Sequence, residues 1–192
     1  PTVATDSKAH ELFSVGDAAV YYREESWDSG YGTETETTYY NAAGEMLGSS
    51  FKSVMQLPDG GTETNINYND ANFNWLGDQR SDTNGNSSSN FETTVTSDDT
   101  DAWAALIAEF TWLQDPDDSS AFGFSATTVK VQSGSSTYVV DGGDDITDVR
   151  KHLFTEDWSH LGGKEVMNGE TTQFNANFER GAKKITIDTG EG

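Results

Sequence analysis

Ten aspartates gather in three short stretches of the sequence. They are Asp98, Asp99 and Asp101; Asp115, Asp117 and Asp118; and Asp141, Asp144, Asp145 and Asp148. Carboxylates crowded this closely repel one another, and a cation held between them removes the repulsion. Ca²⁺ is the hard cation that takes roughly six to eight oxygen ligands, from carboxylates and backbone carbonyls together. Each stretch falls where a loop is expected, so the chemistry expected of these ten residues is Ca²⁺ binding. The alternative for each stretch is a solvated loop with an aspartate capping the helix or turn that follows. None has the full EF-hand spacing, and Asp82-Thr83-Asn84-Gly85-Asn86 carries only a fragment of it, which also reads as a plain turn.

Aromatic residues lie beside these loops and turns: Trp27, Tyr31, Trp75, Trp112 and Trp158. An exposed ring can stack on a sugar or a peptide side chain, and a ring next to an ion defines a small pocket. On that ground Trp27, Tyr31 and Trp158 are the ligand-binding candidates. The other role open to each ring is packing in the core or at a sheet edge. His152 and His160 bracket Asp157 and could meet a transition metal, but there is no HExxH motif and no dense histidine cluster. Glu34 and Glu63 could form a glycosidase acid/base pair. A solvated sheet face explains them better. No nucleophile elbow, P-loop or dinucleotide fingerprint occurs. No catalysis is expected.

The formal net charge of -22, from 33 acidic against 11 basic residues, argues against nucleic acid, which must be met by Lys and Arg. It argues equally against docking on anionic lipid. No run of apolar residues is long enough to insert in a membrane. There is no cysteine, which excludes disulfides, thiolate metal sites and a cysteine nucleophile. The first residues carry no visible secretory signal.

Such side chains need a scaffold, and a repeat supplies the pattern for one. GTETETTYYNAAGEMLG, Gly32–Gly48, returns as GTETNINYNDANFNWLG, Gly61–Gly77, 29 residues later without a gap. In each copy a Thr- and Tyr-rich stretch alternates with period two, as a strand requires. Thr33, Thr35, Thr37 and Tyr39, with Thr62, Thr64, Ile66 and Tyr68, suit a half-buried face; Glu34, Glu36, Glu63, Asn65 and Asn67 suit the solvent face. Asn41-Ala42-Ala43-Gly44 reads as a turn with Gly44 at positive φ. The second copy has Phe73 in place of that glycine, so Asn72 is expected to take the left-handed role. Six strands follow, over 17–27, 33–40, 45–57, 62–69, 74–81 and 87–96. The spacing of Trp103, Leu106, Ile107 and Phe110 predicts one amphipathic helix over 102–113. Strands resume at 121–132 and 136–140, joined by a Ser-Gly turn at 133–135. DVRKHLF, 148–154, reads as a second short helix, Asn168-Gly169 as a hairpin turn, and 183–188 as the last strand. The fold class expected is mainly β: an antiparallel β-sandwich with one amphipathic helix, a second short helix and Ca-bound loops, in a single domain over 1–192.

TTYYNAAGEMLGSSF and INYNDANFNWLGDQR resemble the Y-x-D/N-A-x-G-x-x-L-G hairpins of ligand-binding modules near the C-terminal end of giant RTX adhesins of Gram-negative bacteria. The likeness is to their calcium-dependent peptide-binding domain. It covers Gly32 to about Arg80, with Phe73 departing from the pattern. Asp141-Gly142-Gly143-Asp144 is a single fragment of the RTX glycine–aspartate type. The resemblance implies a Ca²⁺-stabilised β-sandwich at the bacterial cell surface, exported by the type I route and locked by calcium outside the cell. It implies a monomeric domain within a longer chain, whose ligand is the free C-terminus of a peptide or protein on another cell, held by carboxylate contact with a partly open Ca²⁺. A calcium-dependent carbohydrate-binding module and a structural spacer of the adhesin are the alternatives.

Overall fold

The computed structural model describes residues 2–175, in which the chain is mainly β with two α-helices. Two compact units divide it, one ending at Ser89 and the other beginning at Asn90.

The first unit is an antiparallel meander. Its strands are β1 (Thr2–Val3), β2 (Tyr21–Asp28), β3 (Gly32–Tyr40), β4 (Met46–Gln56), β5 (Thr62–Asp70) and β6 (Trp75–Asp82). Each pairs with its sequence neighbours: Glu24 with Thr37, Thr37 with Ser50, and Ser50 with Tyr68. The two copies of the repeat are therefore the hairpins β3–β4 and β5–β6, close to the expected bounds.

One turn design closes these hairpins. In 41–45 the Asn41 N–H donates to the Glu45 carbonyl and the Gly44 N–H to the Asn41 carbonyl, both at 3.0 Å. The same pair of bonds closes 57–61, 70–74, 82–86 and 155–159. The fourth residue has positive φ each time: Gly44, Gly60, Phe73, Gly85 and Trp158. This is the three-residue hairpin loop, a type I turn followed by a left-handed residue. The side chain of the first residue often completes it. Asp70 Oδ1 accepts from the N–H groups of Asn72 and Asn74, and Asp82 Oδ1 from those of Asn84 and Asn86. The left-handed role expected of Asn72 thus falls to Phe73, at φ 62°. Position in the turn decides it, because the fourth residue must reverse the chain into the next strand whatever its type.

A short helix, α1 (Ser7–Phe13), is N-capped by Asp6, whose Oδ1 accepts from the N–H of Lys8 at 2.8 Å. It buries Ala9 and Phe13, and the Phe13 ring stacks on Tyr39 at 4.8 Å between centroids. Tyr39 and Tyr68, equivalent in the two repeats, are both buried, as expected of their face. On the opposite face the expectation of solvent fails for Glu63, which is only 8% exposed. Arg80 pairs with it and Asn65 donates to it at 2.8 Å. Burial of a carboxylate is tolerated because both its oxygens are met.

The second unit contains the rest of β7 (Ser87–Thr96), then α2 (Thr100–Glu109), β8 (Thr128–Tyr138), β9 (Ile146–Phe154), β10 (His160–Met167) and β11 (Glu170–Asn175). The expected amphipathic helix ends at Glu109 and a single 3-10 turn, Thr111–Leu113, follows. Leu106, Ile107, Phe110 and Leu113 pack with Phe122, Val129, Val131, Leu153 and Leu161 as its core. Two expectations are overturned. DVRKHLF is not a helix but most of β9, paired with β8 on one side and β10 on the other. The second helix is α1. No turn interrupts 133–135; β8 runs straight through, with Gly134 opposite Arg150. Asn168 and Gly169, both at positive φ, close β10–β11 as expected. The strand expected at 183–188 lies outside the described residues.

Candidate functional site

In the first unit a cavity of about 240 Å³ opens between the chain before α1 and the Tyr39/Tyr68 face of the meander. The segment Ala4-Thr5-Asp6 forms one wall, held by a bond from the Ala4 N–H to the Val20 carbonyl and by the Asp6 cap. The sheet forms the floor. Strand alternation brings Tyr22 and Glu24 of β2, Thr35 and Thr37 of β3, Ser50 and Lys52 of β4 and Ile66 of β5 to this one face.

The lining is rich in hydroxyls and carries three charged side chains, Asp6, Glu24 and Lys52. Tyr39 and Ser50 hydroxyls hydrogen-bond at 3.0 Å. Burial pushes the Tyr39 phenol above its ordinary range, against the lowering effect of the Ser50 bond, and the charges of Asp6 and Glu24 add to the rise. Tyr68, just below, is raised further by burial and then by Asp6. Both phenols therefore stay protonated across physiological pH and can donate as well as accept. Lys52 lies across from Thr35 and Ile66 and forms no ion pair among the described residues. A hydroxyl-lined hollow with one ammonium and two carboxylates can orient a small polar molecule.

No family model, curated protein or solved structure matches this chain.

None of the three aromatic candidates lines the cavity. Trp27 lies on the opposite face of the meander, 44% exposed, with Phe51 at 6.0 Å. Tyr31, at the β2–β3 turn, is 85% exposed. Trp158 belongs to the second unit, where Lys130 Nζ stands 4.3 Å from its ring centre and Phe154 packs at 5.5 Å.

The ten aspartates take several local roles. Asp99 caps α2 by accepting from the Ala102 N–H at 3.1 Å, and Asp101 lies in the first turn, where a negative charge suits the helix dipole. Asp98 precedes them in the same loop. Asp115 accepts from the Asp117 N–H, and Asp118 accepts from both the hydroxyl and the N–H of Ser120, which hold the Asp118 carboxyl below the usual pKa of an aspartate. Asp141, Asp144 and Asp145 are exposed in the loop between β8 and β9. Asp148 is in β9 itself, where it accepts from the Asn168 N–H at 3.0 Å. Among the described residues, no three His, Asp or Glu side chains converge as a metal set in these rotamers. The bonds above engage one oxygen of Asp99, Asp115, Asp118 and Asp148 each.

Glu34 and Glu63 share a face, but each is tied to its own partners: Glu34 Oε1 accepts from Ser53 at 3.1 Å, Glu63 from Arg80 and Asn65. His152 and His160 do meet, with 2.9 Å between Nδ1 and Nε2. The cavity residues gave little sequence signal. Their one mark was membership of the Thr/Tyr face; Asp6, Glu24 and Lys52 are single charges that only the pairing of β2 to β5 and the cap of α1 bring together.

Proposed function

We propose that this chain is a non-catalytic, calcium-stabilised ligand-binding module of an extracellular adhesin, and that the cavity beside α1 takes the end of its ligand. The cavity carries this reading. At about 240 Å³ it suits one sugar ring or one terminal peptide residue rather than a drug-sized molecule, whose pockets run to roughly 300–1,000 Å³. A free C-terminus would bring a carboxylate to the Lys52 ammonium, while Asp6 and Glu24 accept from its amide N–H groups. The carboxylate contact expected at an open Ca²⁺ would then be made or shared by Lys52. The hairpin resemblance and the acidic loops support the adhesin setting and the calcium.

The hydroxyl lining favours a second reading, a carbohydrate-binding module, in which Asp6 and Glu24 accept from sugar hydroxyls. Arrays of free and amidated peptide C-termini and of glycans, probed with the wild type and Lys52→Ala, separate the two. Binding to free but not amidated termini, lost in Lys52→Ala, is expected. Glycan binding that survives Lys52→Ala would favour the second reading, and silence on both arrays would leave the spacer role.

A further inference from the structure

On the face of the second unit away from the α2 core, three titratable side chains form a continuous chain. His160 Nε2 meets His152 Nδ1 at 2.9 Å, and His152 Nε2 meets Glu165 Oε1 at 3.1 Å. The strands hold this arrangement. His152 of β9 lies opposite Gly163 of β10, and a Cβ at Gly163 would stand 2.3 Å from His152 Nδ1, too close for the ring to keep its place, so glycine leaves room for it. A register shift between His160 and Gly162 brings His160 round to the same ring. Phe154 packs edge-on to His160 at 5.3 Å and Phe174 lies 5.5 Å from His152. The imidazole centroids are 5.1 Å apart, so the two rings meet end to end along a hydrogen bond rather than turning both lone pairs to one shared point.

An ionised Glu165 only accepts, so His152 Nε2 carries a hydrogen and donates. Neutral His152 then offers the lone pair of Nδ1, and His160 donates to it through Nε2–H. One added proton is accommodated: on His152 Nδ1 it is donated to His160 Nε2, whose own hydrogen is then carried on Nδ1, so the nitrogen contact is kept with its direction reversed. A second puts hydrogens on both facing nitrogens, and the contact becomes a clash of like charges. Burial of His160, and then the neighbouring His152, hold its basicity below the usual value, which resists that second proton.

We propose that His152, His160 and Glu165 form a proton-operated latch: it pins the 155–159 hairpin end while the pair holds at most one proton, and releases it when the second is bound. The hairpin end hangs on the latch through His160, Phe154 and Trp158 in series. Other charged and polar groups face this region. Lys130 of β8 stands over Trp158 and 3.9 Å from Glu92 of β7; Gln132, opposite His152, is neutral; Arg150 of β9 lies opposite Glu165; Thr172 and Phe174 of β11 do not titrate; and Asp157 in the turn is held ionised by Thr155. Imidazole is the side chain whose ordinary range lies near neutral pH, so the two histidines set the response. Because the folded state resists protonating His160, stability is intact above the unfolded histidine value of 6.5 and falls as pH drops below it.

The test is amide hydrogen exchange of the full chain, read as protection factors at 155–159, in the wild type and in His160→Gln, whose side-chain amide still donates to His152 but never charges. Protection is expected to fall by about tenfold or more between about pH 7 and pH 4.5 in the wild type, and to stay within about twofold in the variant. Equal loss in both, or none in either, overturns the latch. Nitrogen-15 shifts of the wild-type imidazoles give a reading that does not need the variant to fold. Two separated steps are expected, and a single shared step would overturn the coupling.

Discussion

Phe73 stands at φ 62° in the turn between β5 and β6, at the position that Gly44, at φ 83°, holds in the turn between β3 and β4. The same hairpin loop is thus written once with the residue that fits it and once with an aromatic that does not. A side chain with a Cβ loses roughly 1–2 kcal/mol in the left-handed region, and the Phe73 ring, 69% exposed, recovers little of it by packing.

Phe73→Gly is therefore expected to stabilise the protein by about 0.5–1 kcal/mol, after the extra freedom of glycine in the unfolded chain is subtracted. Phe73→Ala keeps the Cβ and should gain almost nothing. Urea unfolding of the three proteins decides it; a Phe73→Ala protein as stable as Phe73→Gly would place the effect in the exposed ring instead of the backbone.

Asp70 and Asp82 give the turns an acid sensitivity. Side-chain bonds from Asn74 and Asn86 respectively are the main cause that holds these carboxyls below their ordinary value of 3.8, with backbone N–H groups adding to it. A lowered folded value means that the unfolded chain takes protons first on acidification. The contribution is complete above about pH 3.8 and is lost as pH falls below it. Asn41 fills the same place in the first repeat without a charge, accepting from Ala43 and Glu45. Asp70→Asn with Asp82→Asn should thus keep stability at neutral pH and flatten its decline in acid. Thermal midpoints from about pH 3 to pH 7 would show parallel wild-type and variant curves if the carboxylates play no such part.

Gly48→Ala is expected to undock α1. Its new Cβ would overlap both the Phe13 ring and the Asn69 carbonyl oxygen, and the backbone atom cannot step aside as a side chain can. Overpacking of this kind costs about 1–3 kcal/mol. The loss should appear as faster hydrogen exchange over 7–13 and as weakened ligand binding, since Asp6 and its neighbours wall the cavity. Unchanged exchange in α1 would show that the helix is held from elsewhere.

Calcium stabilisation, as proposed, predicts a midpoint of thermal unfolding several degrees higher, on the order of 5 °C or more, with saturating Ca²⁺ than with chelator, and little change with Mg²⁺. Asp141→Asn, Asp144→Asn and Asp145→Asn together should remove part of the increment if the β8–β9 loop is among the sites. An identical midpoint with Ca²⁺ and with chelator would leave the charge of -22 as general acidity.

The hairpins were readable in the sequence because their chemistry is local. Asn or Asp opens the turns at 41, 70 and 82, a glycine usually takes the fourth place, and alternating Thr and Tyr flank the repeated pair. Elsewhere tertiary pairing overrides the local pattern. Val149 and Leu153 are four apart and so mimic a helical stripe, yet β9 lies between β8 and β10, whose ladders satisfy its backbone on both sides. Ser133-Gly134-Ser135 has turn composition but is held straight by the same ladder. Glu63 reads as a solvent-facing residue until Arg80, 17 positions on, pairs with it. The meeting of His152 with His160 depends on a register shift that no periodicity announces. The cavity was the least legible feature, since it needs the chain before α1 and four strands at once.

The pairing of every strand of the first unit with its sequence neighbours has a consequence for how the unit is made. From β2 to β6 no strand waits for a distant partner, so the loops closed along the way are short and the entropy lost at each step is small. The meander can zip hairpin by hairpin, in order, as the chain becomes available from either end. The 29-residue period adds two strands at a time and so returns the chain in the direction it left. Duplication of that period lengthens the sheet without reversing anything already built. The repeated stretch carries the instructions for its own closure, which leaves the partner across the sheet free to be another copy.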